Sequence, residues 1–302
     1  MDASATETEA AVPVKSKLLK LAHKRLERFV TLFPKALLND DPDTIHDLRV
    51  YSRRLQQTFR VMLPKPVTPK ARKLIRTLRK VRQAYSSSRN LDVNIDLIQQ
   101  KHRAAGAAIV RQSWEMLQDA LEAERRTEIV QARQKMARYD IVAFIGRAQT
   151  LMDSADIGGD VVDKLQQTVR AALKDWHDAL DLAKGDRSVE NLHALRIAAK
   201  RLRYRAELLA ELGNGAMKPA IKTIKEFQTL LGDWHDRCVL LEHVADFIAR
   251  PEFLVDHPDM GRTLLAEMEK DKLRNESDVE DILSKAPKVA DSWDRVKLSA
   301  QE

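Results

Sequence analysis

A histidine followed by arginines at helical spacing is the first feature of this sequence that could do chemistry. His46, Arg49, Arg53 and Arg60 fall within about 60° of one another on a helical wheel, with Arg54 beside them. The order returns in His193, Arg196 and Lys200, 147 residues after His46, Arg49 and Arg53; Arg203 extends that row by a turn, Arg201 stands beside it, and Glu207 takes the place of Arg60. Arg72, Arg76 and Arg79 form a further row, followed by Arg82 and Arg89, and Lys218, Lys222 and Lys225 are its counterpart. Arginine offers a fork of donors that can hold two phosphate oxygens, and lysine a mobile point charge. A helical turn rises about 5.4 Å, so three cations a turn apart spread charge over about 10 Å. That suits a repeating anion better than one compact phosphate. Binding of this kind draws its strength from counterion release and falls steeply with salt.

The charge is concentrated. No Asp or Glu occurs from Leu48 to Leu91, a stretch of 44 residues holding thirteen Lys and Arg; the net charge of the whole chain is only +7, so the rest is net acidic. A merely solubilising helix face mixes signs, because Glu–Lys neighbours support a helix and like charges oppose it. A one-sign block points instead to an anionic partner.

His46 and His193 head their rows at the same position, and three readings stand for them: filling a half-buried helix start, donating to phosphate, or ligating a metal. Surrounding arginines oppose a divalent ion, and no carboxylate or second histidine lies three or four residues on. His177 and His235, each within a Trp-His-Asp tripeptide, occupy non-equivalent places and read as local coincidence. Catalytic signatures are absent: there is no P-loop, Gly-rich dinucleotide turn, His-Glu-x-x-His or nucleophile elbow. The basic rows lack paired acids to hold magnesium for phosphoryl transfer, and Asp92 and Asp236 form no cluster in sequence. No catalytic residue, metal or cofactor is assigned. Four Trp, four Tyr and seven Phe, few of them among the basic rows, weaken a base-stacking, single-strand nucleic-acid reading.

The elements that must carry these rows are helices. Ala, Leu, Arg, Lys, Glu and Gln dominate, nine Gly and ten Pro leave little punctuation for hairpins, and the 302 residues suffice for a buried core. The lone Cys238 excludes an internal disulfide framework and a cysteine zinc cluster, and a reducing cytosol is the simplest setting. No secretory leader or membrane-spanning run is visible, so a soluble protein without membrane contact is expected. Helices are predicted over about 14–32, from Pro42 (with Asp41 as N-cap) to about Leu63, from Pro69 to about Ala84, over 91–98 after a loosening at Ser86–Ser88, and over about 104–138. On the first basic helix Leu48, Tyr51, Leu55 and Met62 should face the core; on its copy Leu195, Ala198, Leu202 and Leu209; on the next pair Leu74, Leu78, Val81 and Tyr85, and Ile224, Phe227 and Leu231.

An internal repeat organises the chain. Residues 44–55 return as 191–202, with Ser188 in the capping place of Asp41; the following helix recurs at an offset of 146, Ile75–Arg79 against Ile221–Lys225. The expected division is a disordered tail over 1–12, a first helical half over 13–152, a linker over 153–160 and a second half over 161–302.

These motifs resemble the CHAD family, the conserved histidine α-helical domain. The matching pieces are His46-x-x-Arg49-x-x-x-Arg53-Arg54-Leu55 and Ser88–Val93, then Leu192-His193-x-x-Arg196-x-x-x-Lys200–Tyr204 and Leu230–Asp236. The resemblance implies an all-α fold of two pseudo-symmetric four-helix bundles with a basic channel between them, binding inorganic polyphosphate through the Arg, Lys and His rows, and residence on cytoplasmic polyphosphate granules. Ser86 stands where the family has glycine, Asn90 where it has Asp, and His235 where its second half has Asn. The expectation is a non-enzymatic polyphosphate-binding protein, with other polyanions open as partners. Its rival is a nucleic-acid-binding protein using the same rows, and an enzyme acting on polyphosphate is a third reading. Oligomeric state is not legible.

Overall fold

The structure is a computed structural model, which describes residues 14–63, 66–158, 160–213 and 215–296; the tail expected over 1–12 lies outside them. No strand forms among the described residues. The first run of helices is α1 (Val14–Leu38), α2 (Pro42–Val61), α3 (Pro69–Ala84), α4 (Ser86–Ala104), α5 (Ala108–Met136) and α6 (Ile141–Asp153). The second run is α7 (Val161–Gly185), α8 (Val189–Glu211), a single 3-10 turn (Gly215–Met217), α9 (Lys218–Ile248), α10 (Pro251–Asp256) and α11 (Pro258–Asp294).

Local chemistry accounts for the boundaries. Asp41 caps α2 by accepting from the Thr44 N–H at 2.9 Å and from the Thr44 hydroxyl at 2.6 Å, with Pro42 in the first turn. The cap of α8 is different from the expected copy. Ser188 holds the N-cap position without a side-chain bond into the helix; Asp186 instead accepts from the Ser188 N–H (3.1 Å), the Ser188 hydroxyl (2.9 Å) and the Asn191 amide (3.0 Å). Gly213, at φ 125°, ends α8 in the left-handed conformation that side chains resist.

Several helices run beyond their predicted spans. α1 continues through Pro34 to Leu38, and α4 resumes at Ser86 rather than Leu91, because the break falls at Tyr85 alone. The Tyr85 hydroxyl donates to the Ala36 carbonyl at 2.8 Å, and its ring is fully buried. At the same place in the repeat α9 passes through Leu231 and Gly232 without a break. The short α6, which packs on α1 and α3, has no counterpart among the predicted helices.

The predicted core faces are buried. Leu48, Leu55, Leu74, Leu78, Val81, Tyr85, Leu195, Leu202, Ile224 and Leu231 are all fully enclosed, while Tyr51 is half-buried. They belong to one large apolar cluster built on α1–α3 and α6–α9, with the C-terminal turns of α5 and α11. A second cluster draws Leu91, Ile95 and Ile98 of α4 and Trp114, Leu117 and Leu121 of α5 together with Leu240, Val244 and Phe247 of α9, Phe253 of α10 and Leu264 of α11. α5 also packs on α11, α4 on α9, and α2 on α8. Among the described residues no helix is long and apolar enough to cross a membrane.

Candidate functional site

The packing of α2 on α8 turns the two predicted cationic rows toward each other. Arg53 of α2 donates from Nη1 to the Tyr204 hydroxyl of α8 at 2.8 Å, and its guanidinium lies 5.0 Å from the ring centroid. Arg203 approaches the same ring at 4.5 Å. Tyr204 is thus a shared platform for two guanidiniums, its π-face offsetting part of their repulsion.

On the first-half side, Arg49 donates to the Arg82 carbonyl at 2.5 Å, and Arg82 donates to the Gln56 side-chain oxygen at 2.7 Å. Gln56 is fixed in turn by its amide donating to the Ile75 carbonyl at 3.0 Å. Burial, with Arg53 and Arg89 nearby, pushes Arg49 down to about 10; burial, with Arg53 and Arg49, pushes Arg82 down to about 10. Arg89 at the head of α4 lies 3.8 Å from buried Asp92, whose other oxygen accepts from Arg125 of α5. His46 is exposed at the start of α2; partial burial of its ring, then Arg89, hold it below the usual imidazole range.

On the second-half side, Arg196 lies 3.8 Å from Asp236 of α9. Burial lowers Arg196, Asp236 opposing and Arg53 adding to the effect. Lys200 sits one turn on. Burial pushes it down to about 7, helped by Arg196, Arg53 and Arg203 and opposed by Asp236. His193 is exposed at the start of α8, its ring centroid 5.2 Å from that of His235 on α9. Burial, then His235, Arg196 and Lys200, hold His193 below its usual range.

The other predicted residues lie at the edge of this cluster or outside it. Arg201 turns to α7 and pairs with Asp175 at 2.9 Å. Arg54 and Arg203 converge on Glu207, at 3.8 and 3.6 Å. Arg60, Arg72, Arg76, Arg79, Lys218, Lys222 and Lys225 are exposed and make no ion pair among the described residues. His235 is corrected: read from sequence as coincidence, it faces His193. The signal was available, since the offset of 146 that aligns Arg79 with Lys225 also aligns Arg89 with His235. Tyr204, Asp92, Arg125 and Gln56 were missed as site residues, and no spacing rule finds them because their partners come from other helices.

The CHAD domain model matches residues 20–245. The chain belongs to the CHAD family. Two Mycobacterium tuberculosis proteins, MT2285 and Rv2226, both described as uncharacterized, are 28% identical over 224 residues, 70% of this chain; the chain spans 42% of their length. Among solved structures, the CHAD domain from the plant Ricinus communis superposes with a TM-score of 0.68 at 16% identity, covering 94% of this chain and 95% of that one. PptA from Streptomyces chartreusis gives 0.67 at 15% identity, covering 94% and 100%. This CHAD fold therefore places cations from α2, α3, α4 and α8 together, with Asp92, Asp236 and Glu207 as the acids in contact with them. Each cation disfavours the next, so a multiply charged anion would relieve several at once. Among the described residues no group of three or more His, Cys, Asp or Glu could hold a metal ion.

Proposed function

We propose that this CHAD protein binds inorganic polyphosphate without turning it over, in the cytoplasm and on polyphosphate granules, and that the α2–α8 cluster is the centre of its binding surface. The observation that carries the reading is the crowding of Arg49, Arg53, Arg82, Arg196 and Lys200. Arg49, Arg82, Arg196 and Lys200 hold their protons less tightly than usual because burial and like charge act together, with Arg49 and Arg82 at about 10 and Lys200 at about 7. A folded protein keeps so many cations together at a cost in stability, and an anion with several charges offsets that cost. The exposed Arg72, Arg76 and Arg79 row of α3 and its Lys218, Lys222 and Lys225 counterpart on α9 offer further cations to the same ligand. A linear chain with one charge per phosphate fits such a spread better than a compact ligand.

Competition decides between polyphosphate and a phosphodiester backbone. At about 150 mM salt, where screening acts over about 8 Å, long-chain polyphosphate is expected to displace duplex DNA and RNA from the protein. Equal or stronger nucleic-acid binding overturns the reading.

A further inference from the structure

The two ends of the cluster are not alike. In the first half the histidine that heads the row, His46, is repelled most strongly by Arg89 among the neighbouring cations. In the second half His193 has His235 in that place, 146 residues after Arg89, with the two rings 5.2 Å apart and tilted by 33°. An imidazole stands where the repeat has a permanent guanidinium.

We infer that His235 is an anion-binding residue of the site, acting with His193, and that this end of the surface takes up protons when it binds while the Arg89 end carries its partner charge permanently. The inference rests on the polyphosphate reading above. His193 is exposed and His235 keeps 19% of its side-chain surface, so an anion can reach both. Two rings this close repel once both are charged, and Arg196 and Lys200 add to the repulsion from α8. A phosphate oxygen between them reverses that balance by favouring the charged form of each ring.

The surrounding charges support this asymmetry. From α8 the pair meets His193, Arg196 and Lys200, with Arg53 of α2 behind them. On α9 itself Asp236 lies 3.3 Å from His235 Nδ1 and 3.8 Å from Arg196, so its charge is divided between the two. Asp233 is raised by burial, and Arg237 turns toward Asp278 and Asn275 of α11. Asp271 and Arg274 of α11 act on Arg237, while Asp271 holds Lys101 of α4 at 2.6 Å. α10 meets α9 through the Phe247–Phe253 contact. Asp236 is therefore the one carboxylate in hydrogen-bonding reach of the pair among the described residues. Lys200, at about 7, gains charge over the same range and adds to the uptake.

Calorimetric titration with long-chain polyphosphate, in buffers of different ionisation enthalpy, counts the protons taken up. Between about pH 8 and pH 6 the wild type should bind tighter as pH falls; each group shifted by one pKa unit contributes up to about tenfold. His235→Gln should lower the proton uptake and flatten the rise in affinity between pH 8 and pH 6. His235→Arg should bind tightly at both pH values, and Arg89→His should add to the proton uptake at the end where His46 is the one histidine of the pair. Circular dichroism checks that each variant is helical. Uptake by His235→Gln equal to that of the wild type overturns the inference and leaves polyphosphate binding standing. Absence of polyphosphate binding by the wild type at either pH overturns both.

Discussion

Replacing Lys200 by methionine removes one charge from the most crowded part of the cluster while keeping a side chain of similar length. The ammonium is displaced from 10.5 to about 7, chiefly by burial and then by Arg196 and Arg53. The whole displacement corresponds to about 5 kcal/mol; partial exposure and salt screening reduce the expected effect to about 2 kcal/mol. Between about pH 7 and 10.5 the folded chain binds fewer protons at this site than the unfolded chain, so stability rises with pH across that window. Below about pH 7 the amine is charged in both states and the penalty is fully present. Lys200→Met should therefore stabilise the ligand-free protein at about pH 6, raising Tm by about 4 °C for a chain of this size. The difference should shrink steadily toward about pH 10. Differential scanning fluorimetry across this range is the assay. With polyphosphate present the difference should narrow, because the wild type keeps a charged contact worth about 1.5 kcal/mol or more. A variant less stable than the wild type at pH 6, or a difference that does not vary with pH, would refute the account of Lys200.

Asp92→Asn should cost about 3 kcal/mol of stability by denaturant titration, because it leaves Arg125 and Arg89 against a buried neutral group. Charge reversal at Arg53 and Arg79 together should abolish tight polyphosphate binding, and reversal at Lys200 and Lys225 should do the same, if both halves contact one chain; half the stoichiometry at unchanged affinity would show independent sites instead. Incubation of the pure protein with polyphosphate and magnesium or manganese should release no orthophosphate above a protein-free control, and release that vanishes on mutating a carboxylate would make the protein an enzyme.

The apolar faces of α2, α3, α8 and α9 were legible because helical period alone sorts Leu48 and Leu55 from Arg49 and Arg53. The Asp41 cap was legible for the same local reason, as was the family from its paired histidine motifs. Partners contributed by other helices were not. Spacing gives the angle of Arg54 or Arg201 about its own axis, yet Glu207 and Asp175 decide where each guanidinium goes. Arg25 is the extreme case. It is buried in α1, with Nη1 donating to the Thr58 hydroxyl at 2.5 Å and Nη2 to Glu211 at 2.7 Å, and no local pattern distinguishes it from a surface arginine. His235 was legible in principle, through the 146-residue register, but the Trp-His-Asp tripeptide that it shares with His177 falls at non-equivalent places and reads as coincidence.

The second apolar cluster ties the two runs of helices together through their interiors. Neither the α4–α5 hairpin nor the α9–α11 arm encloses Trp114, Leu117, Leu240 and Phe247 by itself; each supplies the other's missing wall. Lys101 of α4 adds a tether by holding Asp271 of α11 while lying 5.3 Å from the Trp114 ring. Association of the two runs is thus written into their interiors rather than into the few residues between Asp153 and Val161 that join them. A backbone nick in that connection would leave a two-piece protein still clasped together, and two separately made pieces would be sticky until they met.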